Sequence, residues 1–199
     1  HQLDLTLMVL GDPAAPKSVS ASGGRLQHRD DDGEVPDVEI LHYDYSGFVM
    51  TFEHSHFANA MSKINGKIRS GDQFPYWPQC ATRIEFYGTK DNMMLGRHGG
   101  GWQVFTSGGR VVEQQYGRHP DPEHQQNFVD CIRNRKRPNA DVGLAHGSTT
   151  VMHMGNIAHR VGNQKLQFDA GAERFIGNDA ANLLSKRHNV NPYSVKEMA

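Results

Sequence analysis

The sequence predicts an α+β fold: one large, mostly antiparallel sheet with helices packed on one face and the other face open for oligomerisation. Three observations predict it. Short strand-like segments follow one another from Arg83 to Tyr116 with only glycine-rich turns between them. A hairpin pattern occupies Val38 to His54. Helical periodicity is confined to the first residues and to the stretch after Asp121. Sequential short strands with tight turns make antiparallel sheets, and helices segregated from them cover one face. A chain of 199 residues is long enough for one domain with a full core.

Taken in order, the chain opens on a helix. His1-Gln2-Leu3-Asp4 runs into the apolar stretch Leu5 to Leu10, which stops at Gly11-Asp12-Pro13. The stop signal is present and no capping residue precedes the start, so the chain is expected to begin inside a helix. Ser18 to Ser22 reads as a strand entering Gly23-Gly24, followed by the polar loop His28 to Glu34. Val38 to Tyr45 and Phe48 to His54 flank Ser46-Gly47 as a hairpin. Ala58 to Pro78 has no period and reads as a long ordered loop. Strands follow at Arg83 to Tyr87, Met93 to Arg97, Trp102 to Thr106 and Arg110 to Tyr116. Asp121-Pro122 starts a helix with Phe128, Cys131, Ile132 and Arg135 at helical spacing. Asn139-Ala140-Asp141 caps the next, whose stripe is Leu144, Val151, Met154, Ala158 and Val161. A strand at Lys165 to Asp169 and a short helix at Asp179 to Lys186 complete the pattern.

Composition excludes several partner classes. The net charge of −1 gives no basic field for nucleic acid or an anionic membrane. No run approaches the roughly 18 apolar residues of a membrane span. Cys80 and Cys131 are too few and too far apart for a disulfide framework or a zinc knuckle, so cysteine usage leaves the compartment open between cytoplasmic, which is favoured, and exported.

Candidate chemistry lies in three places. His1 and Asp4, three residues apart, share one helical face on an otherwise apolar segment. In the hairpin a two-residue turn sets Tyr45 opposite Phe48, Tyr43 opposite Met50, Leu41 opposite Phe52 and Glu39 opposite His54, with Asp37 opposite His56 one step on. Cross-strand partners share a face, so an apolar face ends in two carboxylate–imidazole pairs. Those pairs suit acid–base work or a metal, or else the sheet simply runs out into solvent there. Tyr76-Trp77 in the long loop is either a sugar-stacking lid or a packing anchor. Three other features carry less. His146 and His153 stand about 10.5 Å apart along a helix, too far to chelate one ion unaided. Gly99-Gly100-Gly101 sits between strands and is a hairpin, not a phosphate loop. Arg133 to Arg137 is a basic helix end.

These residues together resemble a known family. His1-Gln2-Leu3-Asp4 with Leu10-Gly11 is similar to the His-x-x-Asp helix of the glucose–fructose oxidoreductase and inositol dehydrogenase (Gfo/Idh/MocA) family, in particular its bacterial members. The resemblance continues through Ser20-Ala21-Ser22-Gly23-Gly24, Phe52-Glu53-His54, Phe86-Tyr87-Gly88-Thr89-Lys90, Asn127 to Arg133 and His153 to Ala158, in order along almost the whole chain.

The resemblance implies a C-terminal domain that shapes a substrate pocket and builds the oligomer, paired in the parent protein with an N-terminal Rossmann domain that binds NAD or NADP. The chain contains neither Gly-x-Gly-x-x-Gly nor the family's Glu-Lys-Pro motif. By itself it is therefore expected to bind no cofactor and to be inactive. The family's histidine falls on His1, acting as general acid–base on a substrate hydroxyl while the nicotinamide takes the hydride. Asp4 orients His1 or holds a neighbouring hydroxyl. The implied function is substrate binding and oligomerisation in an NAD(P)-dependent oxidoreductase of a sugar, cyclitol or related polyol. Asp4, Glu39, His54, His56, Tyr76 and Trp77 are then the candidate substrate-binding residues, with no metal ligand. The implied partners are the sugar or polyol, the parent's Rossmann domain and further copies in a homodimer or tetramer. Two alternatives stay open: an NAD-recycling glycosidase of the same family, and a non-catalytic carbohydrate-binding or assembly module.

Overall fold

The structure, a computed structural model, describes residues 1–96 and 99–186. Arg97, the last residue of one expected strand, lies outside the described residues. The α+β class is what the structure has: nine strands and five α-helices among the described residues, with every strand pairing antiparallel. The strands divide between two sheets where the sequence pattern anticipated one. A period-2 pattern identifies strands, but sheet membership is decided by pairing between distant segments, which the pattern does not encode.

The chain forms two compact units, one from residues 1–13 and 57–148, the other from residue 14 to 56 and from 149 onward. The second unit holds the five-stranded sheet, in the order β3-β2-β1-β8-β9. Its strands are β1 (Ser18–Gly24), β2 (Val38–Asp44), β3 (Val49–Ser55), β8 (Leu166–Asp169) and β9 (Arg174–Phe175). The hairpin register is the one the two-residue turn dictates: Tyr43 pairs with Met50, Leu41 with Phe52 and Glu39 with His54, and Tyr45 N–H donates to Phe48 O at 3.0 Å. Alternation then sorts the faces. Leu41, Tyr43, Tyr45 and Met50 are buried, while Ile40 and Val49 on the opposite face are exposed.

Helix α4 (Val142–Arg160) covers the buried face with its second half. Val151, Met154, Gly155 and Ala158 recur at helical spacing and are buried. Contact is close because residue 155 is glycine. A Cβ there would stand 2.4 Å from Leu41 Cδ1 and 2.5 Å from the Tyr43 hydroxyl. Helix α5 (Asp179–Leu184) is capped by Asn178, whose side chain accepts from Ala181 N–H.

The first unit holds the meander β4-β5-β6-β7, comprising Arg83–Tyr87, Asp91–Gly96, Trp102–Thr106 and Val111–Gln115. The long loop before it is ordered by its own small core, in which Ile64, Trp77 and Cys80 are buried against Ile68, Phe74, Met94 and Phe105. Within that loop the chain makes a short helix α2 (Gly66–Arg69) and a single 3-10 turn at Trp77–Gln79. Gly101 lets the β5–β6 turn close onto β7: at φ +69° its missing Cβ would fall 2.0 Å from Gln115 O. Helix α1 (Gln2–Val9) buries Leu3, Thr6 and Leu7, and α3 (Asp121–Asn134) ends on Arg135 in the left-handed conformation. The first half of α4 also belongs to this unit.

Candidate functional site

In the second unit the carboxylate–imidazole corner forms where the hairpin pattern places it, at the far end of β2 and β3. The two carboxylates differ in role. Asp37 is in register with His56, whose N–H donates to Asp37 O at 2.9 Å, but its carboxylate turns away. It accepts three backbone N–H groups, from Leu26 at 2.8 Å, Gln27 at 2.9 Å and His28 at 2.8 Å. These bonds, the one from His28 foremost, hold its carboxyl at about 2. Asp37 therefore closes the loop after β1.

Glu39 is different. Its residue is 7% exposed and its Oε1 has no hydrogen-bond partner. Burial pushes its carboxyl above the usual range, and the nearby His159 and His54 pull it back in part. His54 is half-buried and meets the exposed His56 edge to face, ring centres 4.5 Å apart. Further along the same face, the Tyr43 and Tyr45 hydroxyls are also buried without partners. Burial raises both phenols, that of Tyr45 to about 12.

His159 enters from the last turn of α4 and was not among the residues singled out by sequence. Its Nδ1 lies 3.0 Å from Asn163 Oδ1, and Asn163 Nδ2 donates to Gly23 O at 3.3 Å. The signal available was its place four residues after Gly155, on the face that α4 buries. The strand-side partner lies 140 residues away in sequence and gives no local cue.

In the first unit His1 and Asp4 are both exposed, on the side of α1 away from Leu3 and Leu7. Asp4 Oδ1 accepts from Ser148 Oγ at 2.5 Å, tying α1 to α4. Ser148 also approaches Leu144 O at 3.1 Å. Tyr76 and Trp77 separate: Trp77 is buried with its indole N–H on Gln103 Oε1 at 2.8 Å, whereas Tyr76 is 70% exposed. Trp77 is thus an anchor of the loop, and Tyr76 is the ring left with an open face.

Among the described residues no group of three or more His, Cys, Asp or Glu is placed to hold a metal ion. At the starts of α3 and α4 carboxylates stand where a pyrophosphate would bind. The first turn of α3 carries Asp121 and Glu123, and at the start of α4 Asp141 Oδ1 already accepts Gly143 N–H at 2.8 Å. Carboxylates at these ends repel a phosphate and take the donors it needs. No helix among the described residues is long and apolar enough to cross a membrane.

Comparison with known proteins supplies the context. The model of the C-terminal alpha/beta domain of the Gfo/Idh/MocA oxidoreductases matches residues 80–195. Among solved structures, a protein of Klebsiella pneumoniae assigned as an oxidoreductase is 12% identical with a TM-score of 0.57, covering 93% of this chain and 51% of its own. An oxidoreductase of Agrobacterium radiobacter, solved with NAD+, L-tartaric acid and magnesium, is 17% identical at a TM-score of 0.53, covering 85% of this chain and 47% of its own. A UDP-N-acetylglucosamine 3-dehydrogenase of Acidithiobacillus ferrooxidans is 16% identical at 0.55, covering 82% and 46%. At these identities the likeness is one of fold. The chain spans about half the length of these structures. No curated protein matches the sequence.

Proposed function

This chain belongs to the Gfo/Idh/MocA oxidoreductase family, as its C-terminal alpha/beta domain, and from that membership we propose that it is the substrate-binding and oligomerisation domain of an NAD(P)-dependent oxidoreductase acting on a sugar, cyclitol or related polyol. The family match over residues 80–195 carries the proposal. The sugar-nucleotide dehydrogenase and the NAD+ complex among the structures of like fold support it.

In the parent protein His1 moves the proton of the substrate hydroxyl. An imidazole has one nitrogen that can take a proton and another that can give one, which suits it to acid–base work. Asp4, already bonded to Ser148 through Oδ1, holds the entrance of α1 in place and keeps a second carboxylate oxygen for a hydroxyl. Tyr76 offers an exposed ring on which a sugar face can stack, with Trp77 fixing the loop beneath it. In the second unit, taken by itself, Glu39, His54 and His56 offer a separate place where polyol hydroxyls can bind. The nicotinamide would supply hydride acceptance when bound.

The test uses the full-length protein: NAD and NADP reduction screened across sugars and cyclitols, with wild type and His1→Ala. Turnover on a polyol is expected, and His1→Ala should lower kcat by about 10²- to 10⁴-fold with a much smaller effect on KM, the usual loss for a positioned acid–base group. No turnover on any polyol overturns the oxidoreductase reading. Turnover within a few-fold of wild type in the variant removes His1 from the chemistry.

A further inference from the structure

We infer that Glu39 and His159 form a hydroxyl-binding site for a neutral polyol, approached from the sheet corner where His54 and His56 stand. The inference takes its ligand class from the function proposed above, but it concerns binding and requires no turnover.

Three observations carry it. First, Glu39 is more than nine-tenths buried, yet its Oε1 has no hydrogen-bond partner. Leaving a buried acceptor without a partner destabilises the fold, the more so for a charged group, so a carboxyl in such a place wants a partner. Second, the hydrogen bonds around His159 set its tautomer. Asn163 Nδ2 donates to Gly23 O, which makes Asn163 Oδ1 the acceptor facing the ring, so the Nδ1 of His159 carries the proton. The neutral imidazole then keeps its Nε2 lone pair unprotonated as an acceptor. Asn163 acts through His159 and is a positioning residue. Third, Glu39 pairs across β1–β2 with Gly23, the residue whose carbonyl holds Asn163, which brings His159 to its side of the sheet, and burial favours the carboxyl's neutral, hydrogen-bond-donating form.

A protonated carboxyl beside an imidazole with a free lone pair presents a donor and an acceptor together. A hydroxyl is the group that answers both, because it donates and accepts through one atom. An anion meets the repulsion of Glu39 once that group ionises, and a cation finds no third ligand among the described residues. A neutral polyol places one hydroxyl between Glu39 and His159 and keeps its neighbours toward the half-buried His54 and exposed His56. The strand β3 is the edge of its sheet, so this corner is open on one side.

The test separates a binding site from a structural one. The full chain is titrated with myo-inositol and, separately, with glucose, following imidazole and carboxyl resonances by NMR, while melting is measured on the same samples without ligand. Saturable millimolar binding of at least one probe is expected, with shifts at His159 and Glu39. Glu39→Leu should weaken it at least tenfold and raise Tm, because an unpartnered buried carboxyl is replaced by apolar volume. Glu39→Gln keeps the shape and should weaken binding by several-fold. Asn163→Ala should release His159 into mixed tautomers, visible in its ring nitrogen shifts, and weaken binding by several-fold. The inference falls if neither probe saturates, if Glu39→Leu binds as wild type does, or if that substitution lowers Tm. Binding without turnover in the full-length protein overturns the oxidoreductase reading and leaves this site standing. Turnover without binding here does the reverse.

Discussion

Asp37 and Glu39 sit two residues apart on one strand end and respond to pH in opposite directions. Asp37 is held at about 2 by backbone N–H groups, below the roughly 3.9 of a free aspartate. A carboxyl with a depressed value adds stability that is present above the unfolded value and vanishes as pH falls through the folded one. Its contribution is therefore complete at pH 5 and lost between about 4 and about 2. Glu39 is raised by burial, so it favours the fold while protonated. That contribution is full below the roughly 4.3 of a free glutamate and declines as pH climbs through its higher folded value. Denaturant titrations across pH 2 to 8 should separate the two. Asp37→Asn is expected to flatten the acid limb, and Glu39→Gln to flatten the decline on the neutral side. Unchanged limbs in both variants would show that neither environment survives in solution.

At the level of elements, two of the three glycines of α4 have opposite consequences. Gly155 faces Leu41 and the Tyr43 hydroxyl at distances no Cβ tolerates, while Gly147 has nothing within 4 Å of the same position. Gly155→Ala should destabilise by about 1–3 kcal/mol through overpacking, with helix propensity recovering only part of it. Gly147→Ala should stabilise by about 0.5–1 kcal/mol, because it removes backbone freedom and meets no obstacle. Thermal melts of both variants decide this, and a melting point for Gly155→Ala at or above wild type would mean that α4 does not lie on β2. The same elements mark what local pattern carries. The hairpin register was legible down to Glu39 opposite His54, because strict alternation and a two-residue turn leave one arrangement. The short α2 and the two-residue β9 were not, since four and two residues are too few for a period to register. The His159–Asn163–Gly23 chain was out of reach for another reason: it joins a helix end to a strand by tertiary contact alone. Trp77 shows the limit from the other side. Its aromatic character suited a lid or an anchor equally, and only the packing with Ile64 and Cys80 tells which.

For the molecule as a whole, one face of the five-stranded sheet has no helix on it from α4. Ile40 is 45% exposed and Val49 is 58% exposed there, between the exposed His42, Thr51 and Glu53. Alternation puts these residues on a single face, and a face of such mixed character matches the composition of a subunit interface better than that of a core. We propose that copies of the chain associate through it. A two-fold axis sets the same patch against itself, so each substitution acts twice. Val49→Arg then forces two long charged side chains into one packed area, and the Asp44 opposite residue 49 in each copy offsets part of their charge but none of their bulk. Light scattering at tens of micromolar should report an oligomer for the wild type and a shift toward monomer for Val49→Arg. Because Val49 is already exposed, the variant's unfolding free energy at low concentration should stay within about 0.5 kcal/mol of wild type, the usual range for surface changes. A monomeric wild type would remove self-association from the account. An oligomer untouched by Val49→Arg would keep it and move the interface to another surface.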